Sequence, residues 1–402
     1  MTRLYFAVLF LLVCILTAGC GTSPEKAIYQ AARKGKTEKV KSLLSKDPHL
    51  ITTVFKEEYT IVNGIVTSKY EDRDGDTVLH CALKYNHQDT AELLIAQGAD
   101  ISAKNCCGDT PLHKASEQGL AGSAELLISK GADINAINIR NQTPLFYAVD
   151  KGHRDIVGLL VSKGAEVNIE DRDGETPLNR AVEKDFVDIA ECLLNKGATL
   201  NKSGTTLLHL AAHSGALKTA AYLLSSGAPV DGRDKNNDTP LLCAQGAVSA
   251  LLIEKGADVN AKGQNNDTPL LRAAQQHAAR ETWFLISKGA RVNASNTTGD
   301  TPLHYSSNGC LSIVKQLIDA KADVTKQNIY GLTPLHKSST LGYQDIAELL
   351  LSNGVDINAR DNMGRTPLDY ALETADDTHR PEEIRERCRK YAEYLRKKGA
   401  TQ

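Results

Sequence analysis

Short apolar stretches with helical spacing recur along most of this chain, and polar turns separate them. Between Thr110 and Gln118 the pattern predicts a first helix, which Gly119 ends. A second helix is predicted by a group of apolar residues at helical spacing, namely Ala124, Leu126, Leu127 and Ile128. It closes at Lys130-Gly131-Ala132-Asp133, and Ile134-Asn135-Ala136 begins an extended arm that leads to the next turn.

The first helix of this pattern starts at a Thr that returns at a nearly constant interval. This Thr occupies positions Thr77, Thr110, Thr143, Thr176, Thr206, Thr239, Thr268, Thr301, Thr333 and Thr366. The intervals are 33, 33, 33, 30, 33, 29, 33, 32 and 33 residues, which indicates a stacked repeat array. Thr is a favourable N-cap, and the Pro that usually follows suits the first helical position because its missing N–H costs nothing there.

A Gly recurs where each second helix ends, and it supplies a left-handed cap. These glycines are Gly98, Gly131, Gly164, Gly197, Gly227, Gly256, Gly289, Gly354 and Gly399. In the repeat that starts at Thr301 the equivalent residue is Lys321, which predicts a small local loss of stability.

The motif Gly108-Asp109-Thr110-Pro111-Leu112-His113, with Ala two residues later and Gly-Ala-Asp at the end of the repeat, resembles the ankyrin repeat. The resemblance implies an all-α repeat solenoid, an ankyrin stack of helix pairs with β-turn fingers. It also implies protein–protein binding through the concave face that the first helices and the fingers form. The array is expected over 25–402, with an N-terminal cap at 25–50, a hairpin-like insertion at 51–72 and ten repeats at 73–402.

Three segments depart from the period. Asn63-Gly64 lies between two β-branched runs and predicts a hairpin, either a lengthened loop or a projection that touches a partner. The repeat that starts at Thr239 is about one helical turn short around Gln245-Gly246, so we expect a soft joint between Asn201 and Lys262. Pro381-Glu382-Glu383 opens a charged helix that closes the C-terminus.

The N-terminus has the pattern of a secretory leader. The short basic segment Met1-Thr2-Arg3 precedes an apolar run from Leu4 to Leu16, which is short of the roughly 20 residues that span a bilayer. Leu16-Thr17-Ala18-Gly19-Cys20 resembles a bacterial lipobox, so 1–19 is expected to be a lipoprotein signal peptide, Cys20 the acylated residue and 20–24 a tether. The alternative is an ordinary secretory signal cut near Gly19. By the lipoprotein resemblance, Gly21 favours the outer membrane, with the repeats in the periplasm.

Composition narrows the function classes. The 47 basic and 49 acidic residues give a net charge of −2, so the charge offers no case for a nucleic-acid partner. No catalytic or phosphate-binding motif occurs, and we expect no enzyme, no cofactor and a monomer. The histidines of the motif could suggest a metal site, but their register with the repeat favours hydrogen bonds to neighbouring turns. They are His80, His113, His209, His304 and His336.

The spacing of the cysteines beyond Cys20 does not form a disulfide framework. Cys106 and Cys107 are expected to be exposed at a finger tip. They could form a vicinal disulfide, bind a soft metal, link to another chain, or have no role.

The position just after the motif, which borders the groove in the resembled family, alternates between basic residues and Tyr. We expect a groove for an acidic or mixed protein segment there, since Tyr and Arg are favoured interface anchors. The alternative is that these are solvated helix faces. The expected groove residues are Lys114, Tyr147, Arg180, Arg272, Tyr305, Lys337 and Tyr370.

The sequence therefore predicts a lipid-anchored scaffold that binds an unidentified protein in the bacterial envelope. Two rival hypotheses remain open, an immunity or inhibitor protein that occludes a toxin or enzyme, and a host-directed effector.

Overall fold

A computed structural model describes residues 23–54, 59–62, 65–68, 75–199 and 206–401. Short helices alternate with turns in 23–54, 75–199 and 206–401, whereas 59–62 and 65–68 are strands. The first ten are α1 Pro24–Arg33, α2 Thr37–Lys46, α3 Val78–Lys84, α4 Gln88–Ala96, α5 Pro111–Gln118, α6 Ala121–Ser129, α7 Pro144–Lys151, α8 Arg154–Ser162, α9 Pro177–Glu183 and α10 Val187–Leu194. The remainder are α11 Leu207–Ser214, α12 Leu217–Ser225, α13 Pro240–Cys243, α14 Ala247–Glu254, α15 Pro269–Gln275, α16 Ala279–Ser287, α17 Pro302–Ser306, α18 Leu311–Asp319, α19 Pro334–Ser339, α20 Gln344–Ser352, α21 Pro367–Asp376 and α22 Glu382–Lys397.

The chain divides into two compact units. Unit 1 comprises Met1–Ala181 and Asp188–Asn201, and unit 2 comprises Val182–Val187 and Lys202–Gln402. Within each unit the repeat is a pair of helices. The first helices of successive repeats pack together, as α3, α5 and α7 do in unit 1, and the second helices pack on one another in a row of their own, as α4, α6 and α8 do. An all-α repeat solenoid, as the sequence predicts, is therefore the fold.

Each unit has a thin apolar core between its helices. In unit 1, one Leu from each of five successive helices is fully buried, namely Leu94, Leu112, Leu127, Leu145 and Leu160. In unit 2, Leu285, Ile313, Leu317 and Leu350 belong to one continuous cluster. Each layer packs on the layers next to it, so the core is built from contacts between adjacent repeats.

Strands β1 Tyr59–Val62 and β2 Ile65–Ser68 form an antiparallel pair where the sequence predicts a hairpin. Val62 pairs with Ile65 and Tyr59 with Ser68, whereas Asn63 and Gly64 lie outside the described residues. A 3₁₀ turn at Pro48–Thr52 precedes them, and Val54 forms a single antiparallel bridge with Thr77.

Every recurring Gly proposed as a cap has a positive φ, between 82° at Gly197 and 98° at Gly399. Lys321 has a φ of 65°, so a residue with a Cβ occupies the left-handed region that favours Gly. Lys321 therefore occupies the cap position in the repeat that starts at Thr301, as the sequence indicated.

The motif histidines link each repeat to the next. The Thr110 N–H donates to His113 Nδ1 at 3.1 Å, and His113 Nε2 lies 3.0 Å from the carbonyl oxygen of Gln142. Because Nδ1 accepts from a backbone N–H, the ring proton is on Nε2 and is donated to that carbonyl. His80, His209, His304 and His336 contact a carbonyl 28 or 29 residues ahead in the same way.

The predicted Thr cap is confirmed in part. Thr77, Thr206, Thr268 and Thr366 accept a backbone N–H from the third residue of their helix. Thr110, Thr301 and Thr333 each form a capping box with the His three residues later, and their hydroxyl lies 2.8 to 2.9 Å from Nδ1 of that His.

The compressed repeat lacks half of its first helix. Helix α13 has 4 residues, whereas α5 has 8. Gly246 precedes α14 with a φ of 61°, and its N–H donates to Glu281 Oε2 at 2.8 Å. The missing turn is therefore at Gln245-Gly246, as the spacing predicted.

The charged C-terminal helix α22 covers the last repeat. Its buried face is Cys388, Tyr391, Ala392 and Leu395, and the Tyr391 hydroxyl lies 3.0 Å from Ser339 Oγ. Residues 1–19 and Cys20 lie outside the described residues. Among the described helices, none combines the length and the apolar character that a membrane crossing requires.

Candidate functional site

A surface depression of about 240 Å³ lies on unit 1, at the first helices α5, α7 and α9 and the finger before α7. Three of the residues expected to border a groove line it together, namely Lys114, Tyr147 and Arg180. The rest of its lining is Glu117, Arg140, Gln142, Phe146, Asp150 and Lys151. The depression thus has four basic and two acidic side chains around two aromatic rings.

A buried carboxylate, Asp109, holds the near wall of the depression in place. Its Oδ1 accepts hydrogen bonds from Asn138 Nδ2 and from the Tyr147 hydroxyl, each at 2.9 Å. Its Oδ2 lies 3.1 Å from the ammonium of Lys114, which also contacts Glu117 at 3.0 Å. Lys114 is 5% exposed and Asp109 is fully buried. The Lys114 ammonium therefore points to Asp109 and Glu117 and not to solvent, so Lys114 holds the wall of the depression in position.

The pKa shifts agree with this arrangement. Burial raises the pKa of Asp109, but the Lys114 ammonium and the Asn138 donor outweigh it, so the net pKa is below the ordinary value. For Lys114 burial lowers the pKa, whereas Asp109 and Glu117 raise it above the ordinary value overall. Burial and the charge of Asp109 raise the pKa of the Tyr147 hydroxyl. All three groups keep their usual ionisation at neutral pH.

The other expected groove residues make the same kind of contact with a finger. Arg180 lies 3.8 Å from Asp171 in unit 1. In unit 2, Arg272 pairs with Asp238 at 3.0 Å and with Asp267 at 3.4 Å, and Lys337 lies 3.7 Å from Asp300.

The two remaining Tyr residues of unit 2 also bond to fingers. The Tyr305 hydroxyl accepts from Asn296 Nδ2 at 2.9 Å. The Tyr370 hydroxyl donates to Asp361 Oδ2 at 2.7 Å, and the Arg365 guanidinium lies over its ring. Burial and Asp361 raise the pKa of Tyr370 to about 12. The sequence predicted the side chains that follow each motif, but it did not predict the finger carboxylates that bind them.

Two signals in the sequence could have indicated these partners. An Asp stands just before the motif Thr in several repeats, and at Asp109 and Asp300 it is the residue that pairs with a Lys or Tyr. Asn or Asp also recurs four residues before that Asp, where it accepts two backbone N–H groups of its finger, as Asn105 does from Cys107 and Asp109.

Arg140 is the basic residue of the depression that is most available to a ligand. It lies on the finger before α7, is exposed, and has no carboxylate partner among the described residues. Lys151, at the far end of α7, is also exposed and lies 3.8 Å from Asp150. Neither residue occupies the position after the motif, so the repeat pattern did not predict that either would line a groove.

Metal chemistry has little support in the part of the chain that the structure describes. No group of three or more His, Cys, Asp and Glu side chains there is arranged to hold an ion. Cys106 is exposed and Cys107 is half-buried, and their sulfur atoms are 3.8 Å apart.

Comparison with known proteins identifies the repeat. The family model described as "Ankyrin repeats (3 copies)" matches residues 4–138, 101–171, 135–203, 167–234, 199–262, 240–328 and 307–400. The chain is similar to protein phosphatase 1 regulatory subunit 27 of Homo sapiens, with 40% identity over 62 residues, 15% of this chain and 40% of that protein.

Two further relatives match over similar lengths. A putative ankyrin repeat protein of Rickettsia bellii is 50% identical over 40 residues, 10% of this chain and 17% of that protein. The E3 ubiquitin-protein ligase hecd-1 of Caenorhabditis elegans is 36% identical over 74 residues, 18% of this chain and 3% of that protein. The matched segments therefore span only 3% to 40% of these three relatives.

Among solved structures, the human ASB11 ankyrin repeat domain matches with a TM-score of 0.47 and 27% identity, over 54% of this chain and 99% of that one. The ankyrin repeats of this chain indicate a protein–protein interaction scaffold. Because the family model matches nearly the whole length, the chain belongs to the ankyrin-repeat family.

Proposed function

We propose that this protein is a lipid-anchored ankyrin-repeat scaffold that binds another protein in the bacterial envelope through the depression on unit 1. The observation that carries this proposal is the exposed guanidinium of Arg140 beside Arg180 and the rings of Phe146 and Tyr147. Arg and Tyr side chains on a rigid, half-enclosed surface are the residues that most often contribute binding energy at interfaces.

The partner segment should carry carboxylates. Lys114 is neutralised by Asp109, and Lys151 and Arg180 lie 3.8 Å from Asp150 and Asp171. The exposed Arg140 therefore supplies the positive charge at the mouth of the depression that is available to a partner. A carboxylate can accept two parallel hydrogen bonds from a guanidinium, and this fixes its orientation. An aromatic or aliphatic neighbour on the partner would then cover the Tyr147 ring. The hydrogen bond from its hydroxyl to Asp109 holds that ring in place.

Charge reversal at the depression tests this assignment. Envelope proteins retained by the immobilised chain are identified first, and the affinity of each for the purified chain is then measured. We expect Arg140→Glu to weaken the binding of the partner at least tenfold, because the substitution places a carboxylate opposite a carboxylate. Lys130→Glu is the matched control, since Lys130 is exposed at the end of α6 and does not line the depression.

Arg180→Glu should act in the same direction as Arg140→Glu, with an added loss of stability from its contact with Asp171. Equal affinities for the unmodified chain, Arg140→Glu and Lys130→Glu would contradict the assignment of the depression. The thermal midpoint of Arg140→Glu should stay within about 2 °C of the unmodified chain, because a surface change of this kind has little effect on stability.

The anchor is supported by the sequence Leu16-Thr17-Ala18-Gly19-Cys20 after the apolar run. Several acyl chains on one Cys would anchor the protein durably, whereas a single chain binds a bilayer only marginally. With Cys20→Ala we expect the protein to move from the membrane fraction to the soluble envelope fraction and to lose incorporation of a labelled fatty acid. Unchanged fractionation would contradict the anchor and leave the binding surface unaffected.

A further inference from the structure

A slot of about 480 Å³ lies on unit 2, at the second helices α14, α16 and α18 and beside the compressed repeat. Three small residues, Gly246, Ala250 and Ala279, line it where longer side chains would fill it. Helix α16 packs closely on α18 but only loosely on α14. The shortened repeat therefore leaves an open space beside α16. This surface belongs to the second helices, whereas the depression on unit 1 belongs to the first helices and a finger.

A buried carboxylate fixes the edge of the slot. Glu281 is 9% exposed, and its Oε2 accepts the Gly246 N–H at 2.8 Å. This hydrogen bond ties α16 to the turn before α14 and sets the width of the slot. Because Glu281 is bound to the backbone, the acidic residue of the lining already has a partner.

Two aromatic rings give the slot its apolar surface. Trp283 and Phe284 line it from α16, and Trp283 is 62% exposed. A Trp ring has a large apolar area, and Trp is among the residues that most often contribute binding energy at interfaces. The slot is therefore suited to an apolar side chain that covers the indole.

The exposed charges along α16 are positive at the slot. Arg280 lines it, and the Lys288 ammonium lies 5.7 Å from the centre of the Phe284 ring. Both basic residues are exposed, and neither forms an ion pair in the part of the chain that the structure describes. Because Arg280, Phe284 and Lys288 are four residues apart, they follow one side of α16, and the two cations are separated by about 12 Å along its axis.

This spacing matches an extended ligand. In an extended segment, residues i, i+2 and i+4 face the same side, and the first and last are roughly 13 Å apart. Acidic residues at i and i+4 would therefore reach Arg280 and Lys288 while the residue between them contacts Trp283. A helical segment of the same length spans only about 6 Å, so its two carboxylates could not reach both cations.

An unused acceptor in the lining also fits an extended chain. Gln316 contributes to the slot from α18, and its Oε1 is buried without a hydrogen-bond donor among the described residues. Buried polar atoms in native proteins nearly always have a partner. The backbone N–H groups of an extended segment are donors that could supply one.

We propose that this slot binds an extended segment of a partner protein with the pattern acidic-x-apolar-x-acidic. The central side chain covers Trp283, and the flanking carboxylates pair with Arg280 and Lys288. This surface is a second binding site, on a different face and a different unit from the depression. It does not depend on the partner proposed for the depression.

The single Trp of the chain makes occupancy of the slot directly measurable. The full chain is titrated with the N-acetylated, C-amidated peptide Glu-Thr-Phe-Thr-Glu, which contains neither Trp nor Tyr, and the emission of Trp283 is followed. We expect a saturable blue shift and weaker quenching by acrylamide, because the peptide removes the indole from water. This readout uses the unmodified chain and does not depend on the folding of a variant.

Three control peptides separate the contributions. Gln-Thr-Phe-Thr-Gln lacks the carboxylates, Glu-Thr-Ser-Thr-Glu lacks the apolar side chain, and Glu-Glu-Phe-Thr-Thr keeps the composition but changes the spacing of the charges. Each should bind at least about tenfold more weakly than Glu-Thr-Phe-Thr-Glu, because each loses one part of the proposed recognition.

Variants of the slot give an independent test. Arg280→Glu and Lys288→Glu should each weaken the binding of Glu-Thr-Phe-Thr-Glu at least about tenfold, because a carboxylate then opposes a carboxylate. Lys326→Glu is the matched control, since Lys326 is exposed on a finger of unit 2 and does not line the slot. Ala250→Leu fills the slot from an exposed position of α14 and should weaken binding to a similar extent.

Several results would overturn the proposal. These are the absence of a saturable change in Trp283 emission, equal affinities for the Glu and Gln peptides, and equal affinities of Arg280→Glu and Lys326→Glu for Glu-Thr-Phe-Thr-Glu. A blue shift that grows with protein concentration in the absence of peptide would also overturn it, because a second copy of the chain would then occupy the slot.

Discussion

At the scale of single residues, the motif His could suggest a metal ligand, but its role in the described repeats is to hydrogen-bond one repeat to the next. His113 is fully buried, and both of its ring nitrogens bond to backbone groups of two successive repeats. Burial lowers its pKa to about 4, against the opposing effect of the Gln142 carbonyl. The ring is therefore neutral at physiological pH, and its lone pair is occupied by the Thr110 N–H.

This pKa predicts a specific loss of stability in acid. The unfolded chain takes up a proton at His113 near pH 6.5, whereas the folded chain does so only near pH 4. Stability is therefore complete above about pH 6.5 and declines as the pH falls towards 4, by on the order of 3 kcal/mol for this residue. In His113→Asn, unfolding of unit 1 should lose that part of its pH dependence. The substitution is conservative, because Asn179 naturally occupies the same position after Thr176.

The expected cost of His113→Asn at pH 7 is about 1 kcal/mol, since the hydrogen bond to Gln142 is lost. Thermal unfolding at pH 7 measures this cost, and the change in stability between pH 7 and pH 5 measures the pH dependence. Identical pH profiles for the two chains would show that another group controls the acid sensitivity.

Lys114 and Lys337 share one repeat position but differ in burial. The Lys114 and Asp109 side chains are 6% and 0% exposed, and those of Lys337 and Asp300 are 30% and 10% exposed. Lys114→Ala should therefore destabilise the chain by about 3 kcal/mol, because a buried carboxylate loses its counterion. Lys337→Ala should cost about 1 kcal/mol or less. Equal losses in denaturant titrations would contradict this dependence on burial.

At the scale of elements, the start and end of each helix follow from local chemistry, whereas helix length depends on the repeat. Pro after Thr begins most of the first helices, and the left-handed Gly ends the second helices. In the compressed repeat only Pro240–Cys243 remains of the first helix. An isolated helical turn of this length has little stability of its own, so its neighbours must hold it.

We therefore predict that amide hydrogens of α13 exchange with solvent at least tenfold faster than those of α5. Both helices begin with Thr-Pro-Leu, so the shared start serves as an internal control. The measurement is hydrogen exchange on the full chain at neutral pH, resolved to peptides from each repeat. Uniform protection from 207 to 262 would rule out a soft joint there.

At the scale of the whole molecule, stability in such arrays is a sum over repeats and their nearest neighbours. The chain separates into two compact units, and a weak repeat lies in the second. The single Trp of the chain, Trp283, lies on α16 in unit 2 and is 62% exposed. Trp fluorescence thus reports unit 2, whereas circular dichroism reports both units.

This arrangement predicts that unfolding is not two-state. In urea titrations the fluorescence midpoint should differ from the circular dichroism midpoint, and Lys114→Ala should shift only the latter. Coincident midpoints, with both probes moved equally by Lys114→Ala, would show that the chain unfolds as one cooperative unit.

Much of the architecture was predictable because the signals are local and repeated ten times. The Thr-Pro starts, the cap glycines, the hairpin around Asn63-Gly64 and the shortened helix at Gln245 all depend on a few neighbouring residues. The candidate site was predictable only in part. Lys114 and Tyr147 were identified by their repeat position, but whether a side chain at that position faces solvent or a carboxylate depends on the adjacent finger.

The sequence alone therefore determined the repeat, its period and the places where the period fails, since helix caps and turns are set by local backbone preferences. Only the tertiary structure decided how the side chains of neighbouring repeats are paired. It placed Asp109 between Lys114, Asn138 and Tyr147, and it left Arg140 exposed at the mouth of the depression. The physical reason is that burial and charge compensation arise between repeats, where residues about 30 positions apart come into contact.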